Sequence, residues 1–168
     1  MAATCSFDVT STVDLQEVDN ALNQARKEVV QRYDFKGSKA DIQFNRADNT
    51  ITLLADDDFK MQALWEIVQG RMVKRSVPVK NLTLGDLEQA GNDTVRRVVT
   101  LQQGIPIDAA KAIVKFLKDR KLKKVQASIQ ADQVRITSPS RDELQEVMQL
   151  LKAEDFGIEL QFGNRRES

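Results

Sequence analysis

Three lysines at helical spacing are the clearest candidates for chemistry in this sequence. Lys111, Lys115 and Lys118 stand at positions i, i+4 and i+7 of the segment from Pro106 to Arg120, whose apolar residues occupy the remaining face. In a helix this spacing places the three ammonium groups on one side. Ammonium groups gathered within about two turns attract phosphate groups. The solvated face of an ordinary amphipathic helix has the same pattern, so both interpretations stay open.

Charge is unevenly distributed along the chain, although its formal net charge is zero. Of the 25 basic and 25 acidic side chains, nine basic and two acidic ones fall between residues 96 and 124. Acidic side chains are in excess on both sides of that segment. Any site for a polyanion must therefore be local, and this segment is the place where we expect it.

A second candidate follows the first predicted helix, where aromatic and charged residues alternate. The segment from Arg32 to Ser38 reads Arg-Tyr-Asp-Phe-Lys-Gly-Ser. Rings stack on nucleobases, and Arg and Lys pair with phosphates. The alternative is a plain helix end, with Gly37 as a left-handed cap, two rings closing the core and Arg32 at the helix dipole. The candidate nucleotide-binding residues here are Arg32, Asp34, Phe35, Lys36 and Gly37.

Several functional classes are disfavoured by what the sequence lacks. It contains no histidine, which excludes Ser-His-Asp, Cys-His and histidine-ligated zinc chemistry. Its acidic clusters fall at predicted helix starts, where carboxylates cap N–H groups. We therefore expect no enzyme, no metal and no cofactor, although a hydrolase that uses only carboxylates is not formally excluded.

Location is indicated by three sequence features. The first residues lack a basic start followed by an apolar run, and no stretch approaches 18 uninterrupted apolar residues. Cys5 is the single cysteine, which suits a reducing compartment. We expect a cytoplasmic protein without a membrane partner.

The order of predicted elements occurs twice along the chain. A shift of 83 residues aligns seven apolar positions, including Ile51 with Val134 and Leu53 with Ile136. Each half reads β-α-β-β-α-β. The first half comprises strands Ser6–Thr10, Ala40–Phe44, Thr50–Leu54 and Lys80–Leu84 with helices Asp14–Arg32 and Asp57–Arg75. The second comprises strands Val95–Leu101, Val125–Gln130, Gln133–Thr137 and Ile158–Phe162 with helices Pro106–Arg120 and Ser140–Lys152.

This order predicts an α+β fold built by tandem duplication of a ferredoxin-like (βαββαβ) unit. Each unit is expected to be a four-stranded antiparallel sheet with two helices on one face. The predicted units are residues 1–90 and 91–168, and the element order also permits the two units to exchange a strand. RNA-binding domains of this architecture stack bases on aromatic residues of the open sheet face, but neither predicted third strand contains an aromatic residue.

The chain closely resembles the bacterial YajQ family. The motifs that carry the resemblance are Ser6-Phe-Asp, Asp14-Leu-Gln-Glu-Val, Arg32-Tyr-Asp-Phe-Lys-Gly37, Gln103-Gly-Ile, and the stretch from Ala112-Ile-Val-Lys to Asp132-Gln-Val-Arg-Ile-Thr137. The resemblance implies a cytoplasmic, non-enzymatic nucleotide-binding protein with two ferredoxin-like units. Ligands associated with the family are RNA, GTP and, in some members, cyclic di-GMP.

Two positions depart from the family pattern. Ser138-Pro139-Ser140 stands where Gly-Lys is common, and Arg165 stands where an aromatic residue is usual. Arg135 and Arg141 are unaffected by these departures and complete the candidate site.

The sequence thus supports two function classes. The first is a non-enzymatic protein that binds RNA or a guanine nucleotide, with cyclic di-GMP among the candidates, through a local basic surface. The second is a protein–protein interaction module, for example for a transcription regulator, in which nucleotide plays no part. Readout of a DNA sequence is not expected in either class.

Overall fold

The computed structural model describes residues 4–122 and 124–167. Four helices lie in this part of the chain: α1 (Leu15–Gln31), α2 (Asp58–Lys74), α3 (Ile107–Asp119) and α4 (Arg141–Ala153). The strands are β1 (Cys5–Thr10), β2 (Asp41–Asn45), β3 (Thr50–Ala55), β4 (Leu82–Leu84), β5 (Glu88–Ala90), β6 (Thr94–Leu101), β7 (Gln126–Gln130), β8 (Gln133–Ser138) and β9 (Gln161–Glu167). None of the helices described has the length and apolar composition required to cross a membrane.

Side-chain caps fix where α1, α2 and α4 begin, because the first N–H groups of a helix have no backbone partner within it. Asp14 accepts a hydrogen bond from the N–H of Gln16 at 2.9 Å, and Asp57 accepts one from Lys60 at 2.8 Å. Ser140 caps α4 in the same way. Asp57 therefore caps α2, in agreement with the prediction that carboxylates at helix starts cap N–H groups.

The elements divide into two compact units that do not follow the chain order. The split unit comprises the chain up to Thr12 and again from Gln103 onward, and the inserted unit is Val13–Gln102. The predicted division at residue 90 falls inside the inserted unit. Strand β1 pairs with β8 and β9, whereas β6 pairs with β3 and β4, so each sheet contains one strand from the other half of the chain.

The inserted unit is an antiparallel sheet with strand order β2-β3-β6-β4, and β5 also pairs with β6. Helices α1 and α2 cover one face. Leu22 and Leu64 from the helices meet Ile51 and Leu53 from β3, and all four side chains are fully buried. Burial of such apolar side chains is the main stabilising contribution to this unit.

The split unit repeats this arrangement with strand order β7-β8-β1-β9, again antiparallel throughout. Ile113 of α3 and Leu151 of α4 pack on Phe7, Val134 and Ile136 of the sheet. The predicted α+β fold class is confirmed by two antiparallel sheets and four helices consistent with a duplicated ferredoxin-like arrangement.

The last strand differs from its prediction. The sequence predicts Ile158–Phe162, whereas β9 runs over Gln161–Glu167. Ile158 is buried in the core but precedes the strand, and the polar residues Arg165 and Arg166 continue it. The apolar residues of the predicted segment indicate contact with the core. The observed bounds of β9 are set by its pairing with β1.

Candidate functional site

The lysines of α3 form an exposed, unpaired group. Lys111, Lys115 and Lys118 are exposed, while Ala110 and Ile113 face the core. Within residues 4–122 and 124–167, none of the three ammonium groups makes a hydrogen bond or lies within 4.0 Å of a carboxylate. We call these three residues the lysine face. Its positive charge is not neutralised by the described part of the protein.

A groove of about 450 Å³ adjoins the lysine face at the end of α3. Lys118 and Lys121 provide its cationic groups, and Val114, Leu122 and Val125 provide apolar walls. Lys121 follows the helix with a positive φ of 54°, so the chain turns sharply there toward β7. The sequence gives the charge of Lys121, but only this turn places the side chain at the groove.

The second candidate segment follows α1 as a short 3-10 turn. The helix ends at Gln31, Arg32 caps it with extended backbone angles, and the turn spans Tyr33–Phe35. Gly37 then has a positive φ of 74°, and no atom lies near the position that a Cβ would take. Helix α1 thus ends where the sequence predicts. The glycine with left-handed backbone angles, Gly37, lies after the 3-10 turn and not directly at the helix end.

The guanidinium of Arg32 is engaged by acidic side chains of its own unit. Asp34 accepts hydrogen bonds from Arg32 Nε at 3.0 Å and from Arg32 Nη2 at 2.7 Å. A carboxylate oxygen of Glu28 lies 3.8 Å from Arg32 Nη1. The hydrogen bond from Arg32 lowers the pKa of Asp34, and the same contact raises the pKa of Arg32. A phosphate would have to compete with Asp34 for this cation.

The two rings of this segment have opposite environments. Phe35 is only 5% exposed, and Lys60 and Arg32 lie 5.2 and 5.5 Å from its ring centroid. Phe35 is therefore not accessible to a stacking base. Tyr33, which the helix-end interpretation assigned to the core, is 88% exposed, and Lys36 is also exposed. The accessible ring is that of Tyr33, which is not among the candidate residues.

Arg141 lies at the first position of α4 and forms an ion pair with Glu167. This contact raises the pKa of Arg141. The pair borders a groove of about 320 Å³ with Arg165, Arg166 and an apolar floor that includes Met148.

Arg135 lies on the uncovered face of the split-unit sheet. It stands opposite Asp8 in the pairing of β8 with β1, while its neighbours Val134 and Ile136 face the helices. Its Nε donates a hydrogen bond of 3.0 Å to Asp8 Oδ1. Asp8 is not among the candidate site residues, because its partner is 127 positions away in the chain and no local pattern links the two.

The predicted residues therefore do not form one cluster within a unit. The segment from Arg32 to Gly37 belongs to the inserted unit and the other candidates belong to the split unit. Within the split unit, the lysine face lies in the helix layer and Arg135 lies on the opposite side of the sheet. Across the described residues, no three Cys, Asp or Glu side chains converge as metal ligands.

Comparison with known proteins gives consistent matches over nearly the whole chain. Residues 5–166 match the family described as nucleotide-binding protein YajQ-like. A nucleotide-binding protein of Geotalea uraniireducens (strain Rf4) is 50% identical over 162 residues, which is 96% of this chain and 99% of the relative. Nucleotide-binding proteins of Koribacter versatilis (97% and 98% covered) and Magnetococcus marinus (96% and 99% covered) are 50% and 52% identical.

Proposed function

Because the chain belongs to the YajQ-like nucleotide-binding protein family, we propose that it is a cytoplasmic, non-enzymatic protein that binds RNA or a guanine nucleotide through the lysine face. Cyclic di-GMP is one of the guanine nucleotides included in this proposal. The relatives are named nucleotide-binding proteins. RNA and the guanine nucleotides are the ligands that the resemblance to the family implies, and the charges and contacts of the chain support a ligand that carries phosphate.

The observation that carries the proposal is the unneutralised charge of the lysine face. Three ammonium groups share one side of α3, and no described carboxylate lies within ion-pair distance of them. Like charges one turn apart destabilise a helix by about 0.2–0.5 kcal/mol per pair. A phosphate ligand would relieve that repulsion and release counterions from its own surroundings.

The adjoining groove supports a nucleotide as ligand. Its apolar walls, Val114, Leu122 and Val125, offer contact to the flat surface of a base. Lys118 and Lys121 at the same groove offer contact to the phosphate group of the same nucleotide. A combination of apolar wall and cationic rim matches the two chemical parts of a nucleotide.

Three aspartates of the described residues are held as hydrogen-bond acceptors by neighbouring side chains. The resolved shifts in the described residues lower the pKa of Asp8, Asp34 and Asp56, mainly through hydrogen bonds from Arg135, Arg32 and Ser38 respectively. These groups are ionised at neutral pH and act as hydrogen-bond acceptors.

A second candidate function, an interaction module for a partner protein such as a transcription regulator, is favoured by a different observation. The inserted unit exposes Val30 by 85%, Tyr33 by 88% and Phe59 by 79%. Lys60, the neighbour of Phe59, donates a hydrogen bond to the carbonyl of Asp34, next to Tyr33. Exposed aromatic side chains are enriched in protein–protein interfaces.

Charge reversal of the lysine face tests the primary proposal. We expect the triple variant K111E/K115E/K118E to bind labelled single-stranded RNA and guanine nucleotides more weakly than the natural protein. Loss of three phosphate contacts reduces the slope of log affinity against log salt for single-stranded RNA by about 2. Fluorescence anisotropy across a series of KCl concentrations measures the slope, and calorimetry measures GTP and cyclic di-GMP binding.

A matched control distinguishes the effect of local contacts on ligand affinity from the effect of net charge. The variant K27E/K74E/K152E carries the same charge change at exposed lysines of α1, α2 and α4. Equal losses in both triple variants, or an unchanged affinity in the first, would contradict a site on the lysine face. Failure of the natural protein to bind any of these ligands would favour the interaction module.

A further inference from the structure

The outer strands of the two sheets differ in how they are protected against pairing with another chain. An edge strand presents unpaired N–H and C=O groups, which proteins shield by short length, charged side chains, bulges or a cover. In the inserted unit, β4 and β5 have three residues each. In the split unit, β9 carries Arg165, Arg166 and Glu167, and its register with β1 shifts along the strand. Each of these edges therefore has a form of protection.

Strand β2, the other outer strand of the inserted unit, is shielded by a side chain of α1. Arg26 donates hydrogen bonds from Nε and Nη2 to the carbonyl of Ile42, at 3.2 and 2.9 Å. Arg26 lies twelve residues after the N-cap Asp14. One backbone acceptor of this edge strand is therefore occupied from within the unit.

The position of α3 that corresponds to Arg26 is Lys118. The two helices can be compared because their buried residues fall at the same steps from the N-cap: Val18, Ala21 and Ala25 in α1, and Ala110, Ile113 and Leu117 in α3. Lys118 lies twelve residues after the N-cap Pro106. Within residues 4–122 and 124–167 its ammonium group makes no hydrogen bond, so it does not cap an edge carbonyl as Arg26 does.

Strand β7 has an open outer edge. Among the described strands it pairs with β8 alone, in a continuous register without a bulge. The segment Gln126–Gln130 contains no charged residue and no proline, and every residue in it except Ala127 is exposed. A flat, uncharged edge of this kind is suited to accept an additional strand.

The hairpin between β7 and β8 determines which backbone groups point outward. A two-residue loop joins Gln130 to Gln133, so this closing pair exchanges its backbone hydrogen bonds. Bonded and non-bonded pairs alternate along an antiparallel ladder. Ala127 and Ile129 therefore direct their N–H and C=O groups away from β8.

The groove beside α3 borders this edge. Val114 of the helix and Ala127 of the strand are among its apolar lining residues. Lys118 and Lys121 are its charged groups, and no acidic residue is among the described residues that line it. Ile129, on the same side of the sheet as Ala127, is 37% exposed. Alternate side chains of an added strand would point into this groove, because alternate residues of a strand share a face.

We propose that the outer edge of β7 binds an extended acidic segment of a partner protein as an additional strand. The backbone of the segment pairs with Ala127 and Ile129, and its alternate side chains, apolar and acidic, enter the groove. Charge complementarity selects an acidic segment, because Lys118 and Lys121 are the charged groups of the groove. A second copy of this chain fits less well, since pairing of two β7 edges would bring the lysines of both copies together.

The position of the groove links this edge to regulation. Under the proposed function, Lys118, Lys121 and the apolar walls contact a nucleotide, and a strand added to β7 covers the same groups. The acidic segment and the nucleotide therefore exclude each other, and the apparent affinity for nucleotide falls as the concentration of the partner rises. The exclusion of nucleotide rests on the proposed function, whereas strand addition at β7 does not.

Amide hydrogen exchange with a model peptide tests strand addition directly. The probe is a labelled peptide whose alternate residues are Val, Glu, Val and Glu, with Thr between them. We expect saturating peptide to slow exchange at the N–H groups of Ala127 and Ile129 by about tenfold or more. Exchange at Gln126 and Ser128 stays unchanged, because these groups already bond to β8. Absence of peptide binding, or binding without protection of Ala127 and Ile129 in NMR spectra of the full chain, would overturn the proposal.

Two substitutions of Ile129 separate the backbone contribution from that of the side chain. Proline removes the outward N–H group, which an edge strand tolerates, whereas alanine retains it. We expect I129P to bind the peptide about tenfold more weakly than I129A, as measured by fluorescence anisotropy. Both variants should keep the GTP affinity of the natural protein. Equal peptide affinities would contradict pairing at β7, and the exchange experiment decides the case if I129P does not fold.

The charge of the segment is tested with a matched peptide in which lysine replaces both glutamates. We expect this peptide to bind about tenfold more weakly, because attraction to the groove becomes repulsion. Equal binding of the two peptides would exclude an acidic partner. Sedimentation velocity tests the alternative occupant, since a dimer that I129P abolishes would identify a second copy and overturn the proposal.

Competition with GTP distinguishes this proposal from the proposed function. We expect GTP to displace the peptide from the natural protein, and simultaneous binding of both would overturn their mutual exclusion. If the peptide binds and protects Ala127 and Ile129 but neither guanine nucleotides nor RNA bind, the β7 edge stands and the proposed function fails. If GTP binds and the peptide does not, the proposed function stands and the β7 edge is excluded.

Discussion

The guanidinium of Arg32 and the carboxylate of Asp34 form a two-point contact at the end of α1, with hydrogen bonds of 3.0 Å from Nε and 2.7 Å from Nη2. This geometry is the one in which Arg recognises phosphate. Asp34 thus occupies the place that a phosphate oxygen pair would take on Arg32. The lysine face of α3 has no comparable internal partner among the described residues, which is why it carries the proposed function.

Removal of the competing carboxylate should reveal whether Arg32 can bind a ligand. If Arg32 is a phosphate contact in addition to the lysine face, D34N binds GTP more tightly than the natural protein, because the asparagine amide competes less well than a carboxylate for the guanidinium. The thermal midpoint should not change, since exposed ion pairs contribute little to stability. Calorimetric titration with GTP measures the affinity, and D86N serves as the control at another exposed aspartate of the inserted unit. An unaltered affinity would exclude Arg32 from the nucleotide site.

The lysine face was predictable because helical periodicity is local. The buried positions Ala110 and Ile113 and the exposed position Lys115 follow from a repeat of 3.6 residues within one segment. The motif resemblance to the YajQ family is likewise confirmed by a match over residues 5–166. Features that depend on spacing within about ten residues can be recognised before any coordinates exist.

The environment of Asp8 was not predictable for the opposite reason. Its partners Arg135 and Asn164 are 127 and 156 positions away, and only the pairing of β1 with β8 and β9 brings them together. The same long-range pairing places β1 in the split unit. Sequence periodicity indicates that Ser6–Thr10 is a strand, but it does not specify which sheet that strand joins.

Equivalent core positions of the two units should respond alike to truncation. The shift of 83 residues aligns Leu53 with Ile136, and both side chains are fully buried under the helices of their units. We expect L53A and I136A each to lower the free energy of unfolding by about 2–5 kcal/mol. The half-buried Thr52, whose side chain faces away from the core, is the control, and T52A should cost at most about 1 kcal/mol. Urea denaturation checks these values; a negligible loss for either core variant would contradict the equivalence.

Gly104 should not tolerate a side chain. It has a positive φ of 82°, and a Cβ at this position would lie 2.5 Å from a carboxylate oxygen of Asp132 and 2.6 Å from its Cβ. We expect G104A to lower the free energy of unfolding by about 2–3 kcal/mol, because left-handed strain and steric overlap act together. Gly157 has a similar φ of 83° with open space around it, so G157A should cost about 1 kcal/mol through strain alone. Equal losses in the two variants would show that the contact with Asp132 is relieved by a small shift.

The contribution of Asp8 to stability should depend on pH. Its pKa in the folded protein is lowered, chiefly by the hydrogen bond from Arg135, so its stabilising effect is complete above the ordinary pKa of aspartate, near 4, and is lost as the pH falls through the folded-state pKa. At pH 7 we expect D8N to unfold with a free energy lower by about 1.5–3 kcal/mol, the range for hydrogen bonds to a charged group. The difference in unfolding free energy between the natural protein and D8N should then begin to shrink below about pH 4 and disappear below the folded-state pKa of Asp8, as protonation removes the charge that the substitution has already removed. Urea denaturation between neutral and acidic pH measures this difference, with D41N, an exposed aspartate of β2, as the control. A difference that stays constant across this range would mean that Asp8 is held by packing and not by its charge.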